Sequence, residues 1–157
     1  MKKEEKTNVM RVLEQKRIAY RSHSYEPDAT KTGQEIAFLL GQDPSHVFKT
    51  LVTVGKPARY YVFVIPVESE LDLKKAAKAA GEKAVAMIKQ KDLLPLTGYV
   101  HGGCSPVGMK KAFPTFIHET AASLDRIFVS AGRVGAQIEL APGDLQKVVP
   151  CAFADLV

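Results

Sequence analysis

The chain of 157 residues is 46% hydrophobic and 25% charged, which is enough apolar material for one ordered domain and excludes a chain too polar to fold. Twenty-two Lys and Arg against seventeen Asp and Glu leave a formal charge of +5, which favours an anionic partner such as RNA. No stretch approaches membrane-spanning length, and Met1-Lys2-Lys3-Glu4-Glu5-Lys6 has no apolar signal segment, so a soluble, cytoplasmic protein with no membrane partner is expected.

Thr7 precedes Val9, Val12 and Leu13 on one side of an otherwise charged stretch, which predicts an amphipathic helix to about Lys16. Alternation around Ile18, Tyr20, Ser22 and Ser24 predicts a modest strand broken at Pro27-Asp28. Thr32-Gly33-Gln34-Glu35 reads as a capping box opening a helix through Ile36 to Leu40. The β-branched and aromatic runs Val47 to Val54 and Tyr60 to Ile65, separated by Gly55-Lys56-Pro57-Ala58, predict an antiparallel hairpin. Ser69-Glu70-Leu71-Asp72 offers a cap before an alanine- and lysine-rich helix over Leu71 to Ala80, closed by Gly81. A short strand over Val85 to Ile88 and a helical turn over Lys91 to Leu94, cut by Pro95, follow.

Tyr99-Val100-His101 is expected to be extended. Further strands are predicted at Phe116 to His118, Arg126 to Ser130 and Gln137 to Leu140, and a last helix opens at Pro142. Helices at both ends and in the middle around several strands give an α/β or α+β single domain, residues 1–157, with a mixed sheet.

Two segments carry chemistry. In Gly102-Gly103-Cys104-Ser105-Pro106-Val107-Gly108 adjacent glycines permit positive φ and bring bare N–H groups against a ligand oxygen, as a main-chain oxyanion hole requires. By local sequence alone, Gly102 to Pro106 is more often a structural turn than a catalytic loop. Strand alternation puts Lys49 on one face with Val47, Leu51 and Thr53, a side suited to burial, so its amine either reaches a cleft mouth or snorkels to water. An amine and free amides together would suit an ester- or phosphate-handling pocket.

Cys104 and Cys151 are too few for a disulfide framework, and neither they nor His23, His46, His101 and His118 have metal-ligand spacing, so no metal and no cofactor are expected. Cys104 as a thiolate nucleophile would need a base such as His101 or His118. Without one it reads as a small pocket or core residue. Ser105 lacks a nucleophile elbow and reads as a turn hydroxyl.

The segments Val47-Phe48-Lys49-Thr50-Leu51, Gly98 to Gly108 and Ser130-Ala131-Gly132-Arg133-Val134-Gly135 resemble the YbaK/EbsC family, free-standing relatives of the editing domain inserted in bacterial prolyl-tRNA synthetase. The likeness runs from about Tyr20 to Leu145. It implies a curved mixed β-sheet flanked by helices, with a cleft beside the glycine loop. It further implies an aminoacyl-tRNA deacylase acting on mischarged tRNA, Cys-tRNA(Pro) foremost, by attack of the substrate's own thiol. In that reading Lys49 engages the 3′-terminal nucleotide, and Gly102 and Gly103 orient the ester carbonyl through main-chain N–H groups. Ser130 and Gly132 hold the aminoacyl-adenosine, Tyr20 stacks on it or hydrogen-bonds it, and Ser105 sits with the substrate-binding residues. Prolyl-tRNA synthetase is the implied protein partner. Gln137 stands where some relatives carry an acid. Water attack on alanyl or seryl esters, and a non-catalytic tRNA- or synthetase-binding module, remain as alternatives.

Overall fold

The computed structural model describes residues 6–28 and 30–157; the Lys2-Lys3 pair lies outside them. In chain order the elements are α1 (Asn8–Gln15), β1 (Arg21–Ser24), α2 (Gly33–Leu39), β2 (Phe48–Gly55), β3 (Arg59–Pro66), α3 (Leu73–Ala80) and β4 (Ala86–Met87). Then follow α4 (Gln90–Thr97), β5 (Thr115–His118), β6 (Ile127–Ser130), β7 (Ala136–Leu140), α5 (Pro142–Val148) and β8 (Cys151–Ala154), with a 3₁₀ turn at Glu119–Ser123 after β5.

The helices start where side-chain oxygens satisfy first-turn N–H groups. Thr7 accepts from the Met10 N–H ahead of α1, and Asp72 accepts from the N–H groups of Lys74 and Lys75 ahead of α3. Before α2 the predicted capping box is complete: Thr32 Oγ1 accepts from the Glu35 N–H, and the Glu35 carboxylate accepts from the Thr32 N–H. Pro142 opens α5, its fixed φ matching a first helical turn.

The predicted hairpin is the centre of the fold. β2 and β3 pair antiparallel from Phe48↔Pro66 to Gly55↔Arg59, β4 adds at the free edge of β2, and β5 and β8 add in parallel beyond β3. The result is a mixed five-stranded sheet in the order β4-β2-β3-β5-β8. A second, antiparallel sheet has the order β1-β7-β6. The two sheets meet at a parallel bridge between Val47 and Phe128, where the Phe128 N–H donates to the His46 carbonyl at 2.9 Å.

Strand alternation decides what each face of β3 touches. Val62 and Val64 enter the main core with Val9 and Leu13 of α1 and Ile117 of β5, whereas Tyr61, Phe63 and Ile65 pack with Ala76 and Ala77 of α3. A strand covered on both sides has no solvent face, which is why its sequence is an unbroken apolar run.

The structure corrects the sequence reading in four places. The first strand begins at Arg21 because Arg17 turns left-handed (φ 58°) and Ile18 is drawn into the core instead. Helix α4 runs through Pro95: one main-chain bond is lost, while Thr97 Oγ1 donates to the Leu93 carbonyl at 2.7 Å and Gly98 closes the helix. Tyr99 and Val100 pair with no strand, and a turn begins at His101, closed by the Gly103 N–H on the Val100 carbonyl, while the Tyr99 hydroxyl donates to the Val107 carbonyl. Strand β8 was not anticipated, since Cys-Ala-Phe-Ala carries little strand signal and is held by its parallel pairing with β5. Among the described residues no helix is long and apolar enough to cross a membrane.

Removing the α3 cap leaves two N–H groups without their carboxylate acceptor. Asp72→Ala is therefore expected to cost about 1 kcal/mol and to lower the melting temperature by roughly 2–4 °C, read from a thermal melt.

Candidate active site

At the junction of the two sheets lies a cavity of about 330 Å³. The start of β2 contributes Lys49 and Thr50, and the first turn of α2 with the residue before it contributes Thr32 and Gly33. The glycine loop contributes Gly102 and Cys104, and the small sheet contributes Ser130 of β6 and its cross-strand partner Gln137 of β7. Of the residues singled out in the sequence, the fold thus brings Lys49, Gly102 and Ser130 to one concavity.

Lys49 is half-buried, and burial pushes its ammonium below the ordinary lysine range, with the Glu70 carboxylate acting in the opposite direction. Among the described residues no carboxylate lies within ion-pair distance of it. Next to it, the Thr50 hydroxyl is buried with no hydrogen-bond partner. A desolvated amine on a cavity wall is a polar group that a bound anionic ligand would satisfy, whereas the Thr50 hydroxyl, on the opposite face of the strand, is closed off from it.

The glycine loop divides its tasks. Gly102 has φ 86°, a conformation that side chains with a Cβ resist, and it lines the cavity. Gly103 faces away: a Cβ there would stand 3.0 Å from the main chain of Arg133 and Val134, so this glycine lets the loop seat against the β6–β7 turn. Its N–H donates to the Val100 carbonyl at 3.0 Å and closes the turn, whereas the N–H groups of Gly102 and Cys104 have no hydrogen bond among the described residues. The turn thus consumes the N–H of Gly103, against the sequence expectation, and the N–H groups of this loop without a partner among the described residues are those of Gly102 and Cys104.

The other expected residues lie outside the cavity wall. Ser105 is fully buried and its hydroxyl accepts from the Val107 N–H, as a turn hydroxyl does. Gly132 donates its N–H to Ser130 Oγ at 3.1 Å and so stands behind the serine. Tyr20 packs against the main core, where burial first and the Glu14 charge second raise its phenol.

Cys104 does line the cavity, but burial pushes its thiol up to about 12 and a hydrogen bond with Thr97 offsets only part of this. Such a thiol stays protonated at neutral pH. His118 is turned elsewhere, its Nδ1 accepting from the Leu156 N–H, and His101 is the one imidazole on the cavity wall. The wall therefore offers a cation, free amides and hydroxyls, without a nucleophile already ionised.

Sequence reasoning did not place α2 at the site. Its capping box reads as a local helix start, yet the same turn presents Thr32, Gly33 and Ile36 to the cavity. Gln42, just beyond α2, exchanges two hydrogen bonds with Gln137, of 2.7 and 3.0 Å, across 95 residues of sequence. No local pattern announces such a pair.

Residues 27–148 match the family described as the aminoacyl-tRNA editing domain. The chain is 46% identical to EbsC of Enterococcus faecalis (strain ATCC 700802 / V583), named as a candidate Cys-tRNA(Pro)/Cys-tRNA(Cys) deacylase, over 99% of this chain and 95% of that protein. It is 30% identical to the proline–tRNA ligase of Shouchella clausii (strain KSM-K16) over 83% of this chain, which spans only 22% of that enzyme. A solved structure of a candidate trans-editing enzyme for prolyl tRNA synthetase superposes with a TM-score of 0.81 at 26% identity, covering 94% of this chain and 93% of the other.

With the Cys104 thiol raised to about 12 and that of Cys151 to about 11, both by burial, neither forms thiolate at pH 8. Iodoacetamide at that pH is expected to leave Cys104 unmodified in the folded protein and to alkylate it after denaturation, read by mass spectrometry. Rapid labelling of the native protein at Cys104 would restore a nucleophilic thiolate.

Proposed function

Since this chain belongs to the aminoacyl-tRNA editing domain family, we propose that it is a trans-acting deacylase that clears mischarged tRNA, with Cys-tRNA(Pro) as its foremost substrate. The observation that carries this reading is the convergence of Lys49 and Gly102 on one cavity whose only cysteine is held protonated. A synthetase pocket built for proline rejects a residue of similar size by only about 1–3 kcal/mol, so a second site that reads the ester after release restores fidelity. Prolyl-tRNA synthetase is the partner that generates the substrate.

In this mechanism Lys49 binds the phosphate of the 3′-terminal nucleotide and holds the ester against the glycine loop. The substrate's own thiol attacks its ester carbonyl, the electron pair collapses back, and the C–O bond to the ribose breaks. The thiol proton leaves to solvent and the ribose oxygen takes one up, giving free tRNA and a cyclic thioester. The amides of Gly102 and Cys104 stabilise the oxyanion that forms between these steps. Holding thiol and carbonyl in attack geometry supplies roughly 7–11 kcal/mol, which a protein without an activated nucleophile needs.

The test is a panel of tRNA(Pro) charged with cysteine, alanine, serine or proline, each followed under single-turnover conditions. Cysteinyl ester is expected to disappear fastest. Lys49→Ala should slow this by about 100-fold or more, with an unchanged thermal melt, whereas Cys104→Ala should stay active. Binding of the charged tRNA without ester loss would leave a non-catalytic module instead.

A further inference from the structure

An aminoacyl ester carries a charge besides its phosphates: an α-ammonium, a group that in peptides titrates at about 7.7–8.0. The cavity is poorly built to receive it. The titratable side chains on its wall are Tyr25, Lys31, Lys49, His101 and Cys104; none is a carboxylate, and two are lysines. Carboxylates occur only off that wall, where Glu70 lies within Coulombic reach of Lys49, and Glu35 and Asp28 lie within reach of Lys31. His101, an imidazole, can add only positive charge.

On the small sheet the wall is Gln137, 4% exposed. Its amide is locked by Gln42, which donates to Gln137 Oε1 at 2.7 Å and accepts from Gln137 Nε2 at 3.0 Å. That pairing fixes the amide plane and leaves one oxygen lone pair and one N–H free, a set that can serve a neutral amine but supplies no counter-charge. An ammonium entering here would leave water for a wall that carries two cations and no anion, which disfavours its charged form.

We infer that this cavity receives the aminoacyl ester with its α-amine uncharged, and that Gln137, held by Gln42, is the positioning residue that enforces this selection. The inference rests on the deacylase reading and specifies the ionic form of substrate that the site takes. Affinity for an amine-bearing substrate then rises with pH: below the amine's pKa most of the ligand is in the excluded form, and above it the penalty vanishes. Uncharged acyl groups of the same shape escape this dependence.

The test uses two non-cleavable adenosine amides, 3′-(2-aminobutyryl)amido and 3′-butyrylamido, which match cysteine in size, lack a thiol and differ only in the amine. Their Kd values are measured by titration calorimetry at pH 6 and pH 9, and the ratio of the two at each pH cancels titrations shared by both complexes. The aminobutyryl compound is expected to bind at least tenfold more weakly, relative to its partner, at pH 6 than at pH 9. Gln137→Glu is expected to bring that change below about threefold. A ratio in the wild-type protein that is the same at both pH values, or that favours the amine at pH 6, overturns the inference whether or not the variant folds. Failure of both compounds to bind at either pH would instead overturn the deacylase reading and the inference with it.

Discussion

The main-chain contact between Val47 and Phe128 is where the small sheet touches the large one, and the site depends on it. Two residues after Val47 comes Lys49, and two after Phe128 comes Ser130. One inter-sheet bridge thus fixes the distance between the amine on one wall of the cavity and the hydroxyl on the other. The glycine loop is registered to the same frame from behind, because Gly103 sits directly on the main chain of the β6–β7 turn. Neither wall needs a flexible arm to reach the other, so the positions of the polar groups are set by strand register and main-chain packing.

That rigidity suits chemistry done by placement. Burial lifts the Cys104 thiol away from ionisation and works against the Lys49 ammonium, and both effects come from the same dry wall. For the thiol the result is inertness. For the amine it is an unmet demand for an anion. Stability left unsatisfied in the free protein is recovered when phosphate and ester oxygens arrive, so the site's affinity is stored in its unfilled state.

Much of the fold was legible in the sequence because local rules and tertiary needs agreed. The Thr32–Glu35 box and the β2–β3 hairpin each had one physical solution, and each formed, whereas the helix expected from Leu71 starts at Leu73 because Asp72 itself is the cap. Where local rules lost, tertiary packing explains it: Ile18 left its strand for the core, and β8 exists because β5 offered it an edge. At the site, Lys49 and Gly102 were visible as a stranded cation and a glycine pair. The division between Gly102 and Gly103 was not, because it depends on where Arg133 and Val134 approach from 30 residues away. Gln137 was visible only as a departure from an acid, and what it does became clear from its partner, Gln42.

The Gln42–Gln137 pair also explains how a short helix can form a wall. Helix α2 has only seven residues and buries little beyond Ala37, while Phe38 and Leu39 face outward, so its own propensity and packing would hold it weakly. It is fastened at both ends. At the start Gly33 lies so close to Val67, just past the end of β3, that a Cβ would meet its Cγ1 at 2.6 Å. Past the far end, Gln42 is tied to β7 through two hydrogen bonds. With the helix anchored to one sheet at its first turn and to the other just after its last, the cavity between the sheets is spanned by an element that cannot shift toward one without straining its hold on the other. The uncharged polar pair on this wall is thereby also the tie that keeps the wall in place.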